Sequence, residues 1–205
     1  FTLSTVQAYI KGGIYQKALI IGAETMSKMI DWSDRSTCVL FGDGAGAAVV
    51  SAEETGVLEL VQKSDGTGKG VLSCKARETR NLLNHESETK EYLYMEGQPV
   101  FKFAVKTVPE CVEEVLKKAE VKKEEIRYYI LHQANSRIIQ SVAKRLKEPE
   151  EKFPMNLSLY GNTSAASIPI LLDEMNRNGM LNRGDKLVLS GFGAGLTWGA
   201  VLLEW

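Results

Sequence analysis

Residues 187–203, LVLSGFGAGLTWGAVLL, decide how the fold is read. Leu187–Ser190 is a continuous apolar run, which suits a strand buried on both faces. Gly191-Phe192-Gly193-Ala194-Gly195 is a glycine-rich turn, and Leu196–Leu203 is a second apolar run. Upstream, Thr163–Asn178 has helical periodicity and stops at Gly179. The order is helix, glycine stop, strand, GxGAG, strand.

The N-terminal part carries the same order. In 2-TLSTVQAYIK-11, Leu3, Val6, Tyr9 and Ile10 share one helical face, and Gly12-Gly13 is a C-terminal stop. Ala18–Gly22 reads as a buried strand, and Gly42-Asp43-Gly44-Ala45-Gly46 leads into the apolar run Ala47–Ser51. A glycine-rich turn alone is common, but five elements in matching order describe a whole architecture. They predict an α/β fold of two related halves, each a sheet covered by helices.

Between the copies, Gly56–Ser64 and Tyr92–Met95 are expected to be strands flanking a polar loop that holds His85. A long helix over Pro99–Glu120 follows, with Pro99 in its first turn and Pro109 set to kink it. Tyr128–Leu131 reads as a short buried strand and Asn135–Leu146 as a helix.

Composition narrows the function classes. Lys+Arg 25 against Asp+Glu 26 gives a net charge of −1, so no global positive field would hold a nucleic acid. With 44% apolar residues the chain can bury a substantial core, yet no run approaches a membrane span of about 20 apolar residues. The N-terminus has no basic segment followed by an apolar one. A soluble, cytoplasmic chain is expected. Cys38, Cys74 and Cys111 are widely spaced and form no ligand cluster, which predicts reduced thiols rather than a disulfide or a metal site.

Two histidines can be weighed one by one. His85 sits in a polar stretch without an apolar frame and reads as a solvated loop residue. His132 directly follows the strand Tyr128–Leu131 and precedes a helix start, where the carboxyl end of a strand in an α/β sheet collects ligands. A satisfied core or capping histidine is the plainer reading of the same position. Likewise Tyr160-Gly161-Asn162-Thr163-Ser164-Ala165-Ala166-Ser167 combines a turn, a capping residue and small side chains, and suits either a helix cap or a site.

Together the motifs are specific. His132-Gln133-Ala134-Asn135, Gly161-Asn162-Thr163-Ser164-Ala165-Ala166-Ser167, Asp34-Arg35-Ser36-Thr37 with Phe41–Gly46, and Gly191–Gly199 stand in one order and spacing. In this the chain resembles the β-ketoacyl-acyl-carrier-protein synthase III family of thiolase-superfamily condensing enzymes, from Phe1 to Trp205. The resemblance implies a thiolase-like layered αβαβα fold of two related halves. Residues 1–55 would be the remainder of the first half, and 56–205 the second.

The same resemblance implies an active site of Cys, His and Asn, with His132 and Asn162 as the last two. Its cysteine matches none of Cys38, Cys74 and Cys111 and is expected just upstream of Phe1, at the start of the helix that contains residues 2–11. The interval from Asn162 to Gly179, carried back from Gly13, points to the same place. There the helix dipole would lower the thiol pKa. A molecule beginning at Phe1 would form no acyl-enzyme.

Further implications of the family are a backbone oxyanion donor in the turn at Ala194 and a coenzyme A and pantetheine tunnel lined by Arg35, Phe41, Gly97, Gln98, Phe101, Ala134 and Asn135. A surface salt bridge is an equal reading of Arg35, and a simple tight turn of Ala194. An acidic carrier protein needs a local basic patch. Arg137, Lys144, Arg145 and Lys147 lie in Ser136–Lys147 with no acid among them, although charge runs are usually solvated faces. The reaction implied is decarboxylative condensation of a short acyl-coenzyme A with malonyl-acyl-carrier protein, starting fatty-acid chains, by a homodimer. The thioester is a substrate, and neither a cofactor nor a metal is expected. The alternatives are a polyketide- or quinolone-type condensing enzyme, or a non-catalytic carrier-binding half.

Overall fold

The computed structural model of the chain describes residues 1–74 and 92–205, so His85 lies outside the described residues, while the start of the expected polar loop is not all loop, because Leu72–Cys74 forms a strand paired with Leu93–Met95. The apolar runs form strands and the periodic segments form helices. In order they are α1 (Thr2–Lys11), β1 (Lys17–Glu24), β2 (Gly44–Ser51), β3 (Val57–Ser64), β4 (Leu72–Cys74), β5 (Leu93–Met95), α2 (Gly97–Lys118), β6 (Ile126–Leu131), α3 (Ser136–Leu146), α4 (Leu157–Tyr160), α5 (Ser167–Arg177), β7 (Lys186–Gly193) and β8 (Thr197–Glu204). The helix expected over Thr163–Asn178 begins instead with a 3-10 turn, Ser164–Ala166, and becomes α-helical only at Ser167. The long helix α2 runs through Pro109 without interruption.

Strands β3-β8-β7-β6 form one sheet, antiparallel except for the β6–β7 pair, while β1 and β2 form a separate antiparallel hairpin and β4 pairs with β5. Side-chain alternation gives the four-stranded sheet two buried faces. Val61, Leu131, Val188 and Leu202 pack with Val112, Val115, Ile139 and Val142 of α2 and α3. Ile130 and Leu187 pack with Leu171 and Met175 of α5 on the other side. Each such fully buried aliphatic side chain contributes about 1.5–3 kcal/mol of transfer free energy.

Helix α5 also packs on β2, and α1 touches β1 while its Gln7 Nε2 donates to Val57 O of β3. The layers are thus the hairpin, the helices α1 and α5, the four-stranded sheet, and the helices α2 and α3. Close approach of hairpin and helix requires glycine: a Cβ at Gly22 would stand 2.7 Å from Ala165 O, and one at Gly46 2.8 Å from Pro169.

Two helix-strand-strand units are present, but their internal register differs from the one the GxGAG motifs suggest. Gly22 faces Gly46 across the hairpin, and Gly191 faces Gly199 across β7–β8. Gly44–Gly46 therefore opens β2, whereas Gly191–Gly193 closes β7. The cause is the connection, which is a long crossover through residues 25–43 in the first unit and the short turn Ala194-Gly195-Leu196 in the second.

Candidate active site

The end of β6 sets the position of His132. Leu131 faces α2 and α3, so the next side chain turns toward α5, and the backbone N–H of His132 prolongs the sheet by donating to Ser190 O at 2.8 Å. There His132 Nδ1 lies 2.7 Å from Ser167 Oγ, and its ring meets the edge of Phe192 at 5.5 Å between centroids. Burial away from water disfavours the imidazolium and lowers the His132 pKa from 6.5 to about 4, so the ring is neutral near pH 7.

Gln133 explains the rigidity of this turn. It is fully buried, its Nε2 donates to Leu131 O at 2.8 Å, and its Oε1 accepts from Asn156 N at 3.2 Å. Asn156 Nδ2 donates to Glu174 Oε2 of α5 at 2.7 Å, and Tyr160 OH donates to the same carboxylate. The turn after β6 and the segment leading to Asn162 are therefore tied to one helix.

Asn162 sits where two chain segments cross. It forms a parallel bridge with Phe41, accepting at its carbonyl from Gly42 N at 3.0 Å and donating its N–H to Leu40 O at 2.8 Å. Its side-chain Oδ1 accepts from Ser164 N at 2.9 Å. That bond leaves the Nδ2 amide as the donor end. Both His132 and Asn162 are thus bonded to residues of Ser164–Ser167, the entry into α5. Neither Ser167, expected only as a small residue, nor Phe192, expected only as part of a turn, is a candidate for this corner in the sequence. A hydroxyl among residues otherwise chosen for size was the available signal for Ser167.

The other expected positions lie on several separate elements. Phe101, Ala134, Phe192 and Trp198 pack at one edge of the core on the α2–α3 side. Gly97 and Gln98 are exposed in the first turn of α2, and Ala194 is exposed in the β7–β8 turn. Asn135 is the N-cap of α3, its side chain accepting from Arg137 N at 2.8 Å. Arg35 is exposed on the 25–43 crossover and has no ion pair among the described residues. Its loop is built on Asp34, which accepts from Ser36 and Thr37, and these bonds hold the Asp34 carboxyl below its ordinary pKa.

On α3, Arg137, Lys144 and Lys147 are exposed, and Arg137 and Lys144 have no ion pair among the described residues. Arg145 differs, because its guanidinium is turned onto α2, where it meets Val105 O and Glu110. Cys111 is buried in the core, and burial pushes its thiol up to about 11, which makes it a poor nucleophile. Among the described residues, no cluster of three or more His, Cys, Asp or Glu side chains could hold a metal ion.

Comparison with known proteins gives consistent matches. A profile of 3-oxoacyl-[acyl-carrier-protein] synthase III matches residues 1–66, and one of that synthase's C-terminal part matches residues 116–205. The β-ketoacyl-[acyl-carrier-protein] synthase III of Clostridium novyi (strain NT) is 52% identical over 207 residues, covering 100% of this chain and 64% of that protein. A solved structure of β-ketoacyl-[acyl carrier protein] synthase III from Thermus thermophilus has a TM-score of 0.90 at 44% identity, covering 99% of this chain and 63% of that one. The priming β-ketosynthase from the R1128 polyketide biosynthetic pathway has a TM-score of 0.87 at 34% identity, covering 99% of this chain and 61% of its own. The chain spans less than two thirds of the length of these relatives.

Proposed function

Because the chain belongs to the 3-oxoacyl-[acyl-carrier-protein] synthase III family, we propose that the enzyme carrying it condenses a short acyl-coenzyme A with malonyl-acyl-carrier protein, beginning a fatty-acid chain. The observation that carries this reading is the pairing pattern of the two site residues. His132 Nδ1 is taken by Ser167, and Asn162 Oδ1 by the Ser164 amide, so Nε2 and Nδ2 are the groups left for a substrate.

On this reading the acyl group first moves from coenzyme A to a cysteine outside residues 1–205. The malonyl thioester then loses carbon dioxide, and the electrons of the broken C–C bond become an enolate whose oxygen carries the charge. Nε2–H of His132 and Nδ2–H of Asn162 stabilise that oxygen, and removal of one such donor typically costs about 10²–10³ in rate. The enolate carbon attacks the acyl-cysteine carbonyl. Backbone N–H groups, one from the turn at Ala194, hold the second oxyanion until the thiolate leaves and the 3-ketoacyl product is free.

Arg35 and Phe41 on the crossover, Gly97, Gln98 and Phe101 on α2, and Ala134 and Asn135 before α3 are assigned to the coenzyme A and pantetheine path. Arg137 and Lys144 are assigned to the acidic carrier protein, with Arg145 and Lys147 beside them. Residues 1–55 are assigned to the first thiolase-like half and 56–205 to the second, in a homodimeric, cytoplasmic enzyme. No helix among the described residues is long and apolar enough to cross a membrane. The resemblance calls for no cofactor beyond the thioester substrate. A polyketide-priming reading draws on the R1128 enzyme, but the 34% identity there against 52% to the Clostridium novyi synthase favours the fatty-acid reaction.

Intact-mass measurement tests the proposal. The full-length protein incubated with acetyl-coenzyme A should gain one acetyl group, and malonyl-acyl-carrier protein should then discharge it with release of carbon dioxide. An unmodified mass together with no carbon dioxide would refute the reading.

A further inference from the structure

We infer that Ser167 is a positioning residue that fixes His132 in its Nε2–H tautomer. One buried oxygen, with a fixed number of donors and acceptors, sets the proton's place. Ser167 is 2% exposed, at the first turn of α5, and its Oγ lies 2.7 Å from His132 Nδ1 and 3.3 Å from the backbone nitrogen of Gln133. A hydroxyl has one proton to give and two lone pairs. The Gln133 amide can only donate, so it occupies one of those lone pairs.

Two arrangements remain. If His132 carried its proton on Nδ1, it would donate into the second lone pair, and the Ser167 hydroxyl hydrogen would be left without an acceptor among the described residues. A buried donor left in that state carries its full desolvation penalty, so this arrangement is disfavoured. If His132 is bare at Nδ1, the Ser167 hydroxyl donates to it, and the Gln133 amide, the Ser167 hydroxyl and Nδ1 are all paired. The proton of the neutral ring then sits on Nε2.

The geometry around the pair preserves this direction of donation. Gln133 cannot rotate its amide away, because its side chain is held by Leu131 O and Asn156 N and its neighbour Ala134 N donates back to His132 O at 2.9 Å. Phe192 stands edge-on against the imidazole, 5.5 Å between centroids, on the side of a ring flip that would put the Cδ2 carbon in place of Nδ1. The relay Gln133 N–H, Ser167 O–H, His132 Nδ1 therefore runs one way. Its relevance to catalysis rests on the proposed condensation, in which Nε2–H is the donor to the enolate oxygen; the tautomer itself does not depend on that reading.

The test uses full-length protein labelled with ¹⁵N-histidine, with His132 assigned by comparison with His132→Gln. Nitrogen shifts should report the Nε2–H form in the wild type, a mixture of both forms in Ser167→Ala, and recovery of Nε2–H in Ser167→Thr. In parallel, Ser167→Ala should lower kcat for decarboxylation about 10-fold with KM for malonyl-acyl-carrier protein unchanged, less than the roughly 10²–10³ of losing an oxyanion donor outright because the donor is misprotonated in only part of the molecules. The Nδ1–H form in the wild type, or an unaltered tautomer in Ser167→Ala, overturns the assignment. The expected shifts in a protein without condensing activity would support the assignment and count against the proposed reaction instead.

Discussion

Arg145 on α3 donates its Nη1 hydrogen to the carbonyl oxygen of Val105 on α2, at 3.0 Å. That carbonyl lies one helical turn before Pro109, which has no N–H to offer it. The gap that proline leaves inside α2 is thus closed by the neighbouring helix. The accompanying ion pair from Arg145 to Glu110, 3.4 Å long and about half exposed at both ends, contributes little by comparison.

A double-mutant cycle follows from this bond. Arg145→Ala should cost about 1 kcal/mol in urea unfolding, the usual net contribution of one hydrogen bond. In a Pro109→Ala background the carbonyl acquires a helical donor, so the same substitution should cost distinctly less. Strictly additive costs would show that Arg145 does not serve the proline gap.

Gly42 offers a steric test of the crossing that places Asn162. A Cβ there would stand 1.9 Å from Tyr160 O, while Gly42 N itself bonds Asn162 O. Gly42→Ala should therefore cost about 3 kcal/mol or more, at the upper end for single substitutions. At Gly66 a Cβ meets nothing within 4 Å, and Gly66→Ala should be close to neutral. Equal urea midpoints for the two variants would contradict this account of the crossing.

The neutral His132 predicts a direction of pH dependence. Its native pKa is lowered to about 4, whereas the unfolded chain keeps an ordinary value of about 6.5. Between those values the unfolded state binds more protons, so the contribution of His132 to stability is complete above about pH 6.5 and is lost as pH falls toward 4. His132→Gln should lack this component, and its melting temperature should fall less than that of the wild type on acidification. Parallel curves would mean that His132 titrates normally.

Charge reversal on α3 tests the carrier-protein surface. Arg137 and Lys144 are exposed and seven residues apart on one helix, so they present charge from the same side. Replacing both with Glu should raise KM for malonyl-acyl-carrier protein about 10-fold, with a larger effect at low salt, and leave acetyl transfer from coenzyme A unchanged. An unaltered carrier-dependent step would remove these residues from the docking surface.

Local pattern in the sequence determined most of the helices and strands, because apolar periodicity and glycine stops act over a few residues, but it did not announce the short elements β4 and α4. The same local signals identified His132 at a strand end and Asn162 before a helix, and the motif resemblance placed both in one family. Tertiary structure alone decided the true register of the repeat, since Gly22 meets Gly46 and Gly191 meets Gly199 only once the strands pair. It likewise decided that Ser167 partners His132 across 35 positions and that Arg145 serves Val105 across 40. Such contacts depend on how separate elements pack, and no periodicity along the chain encodes which side chains will meet.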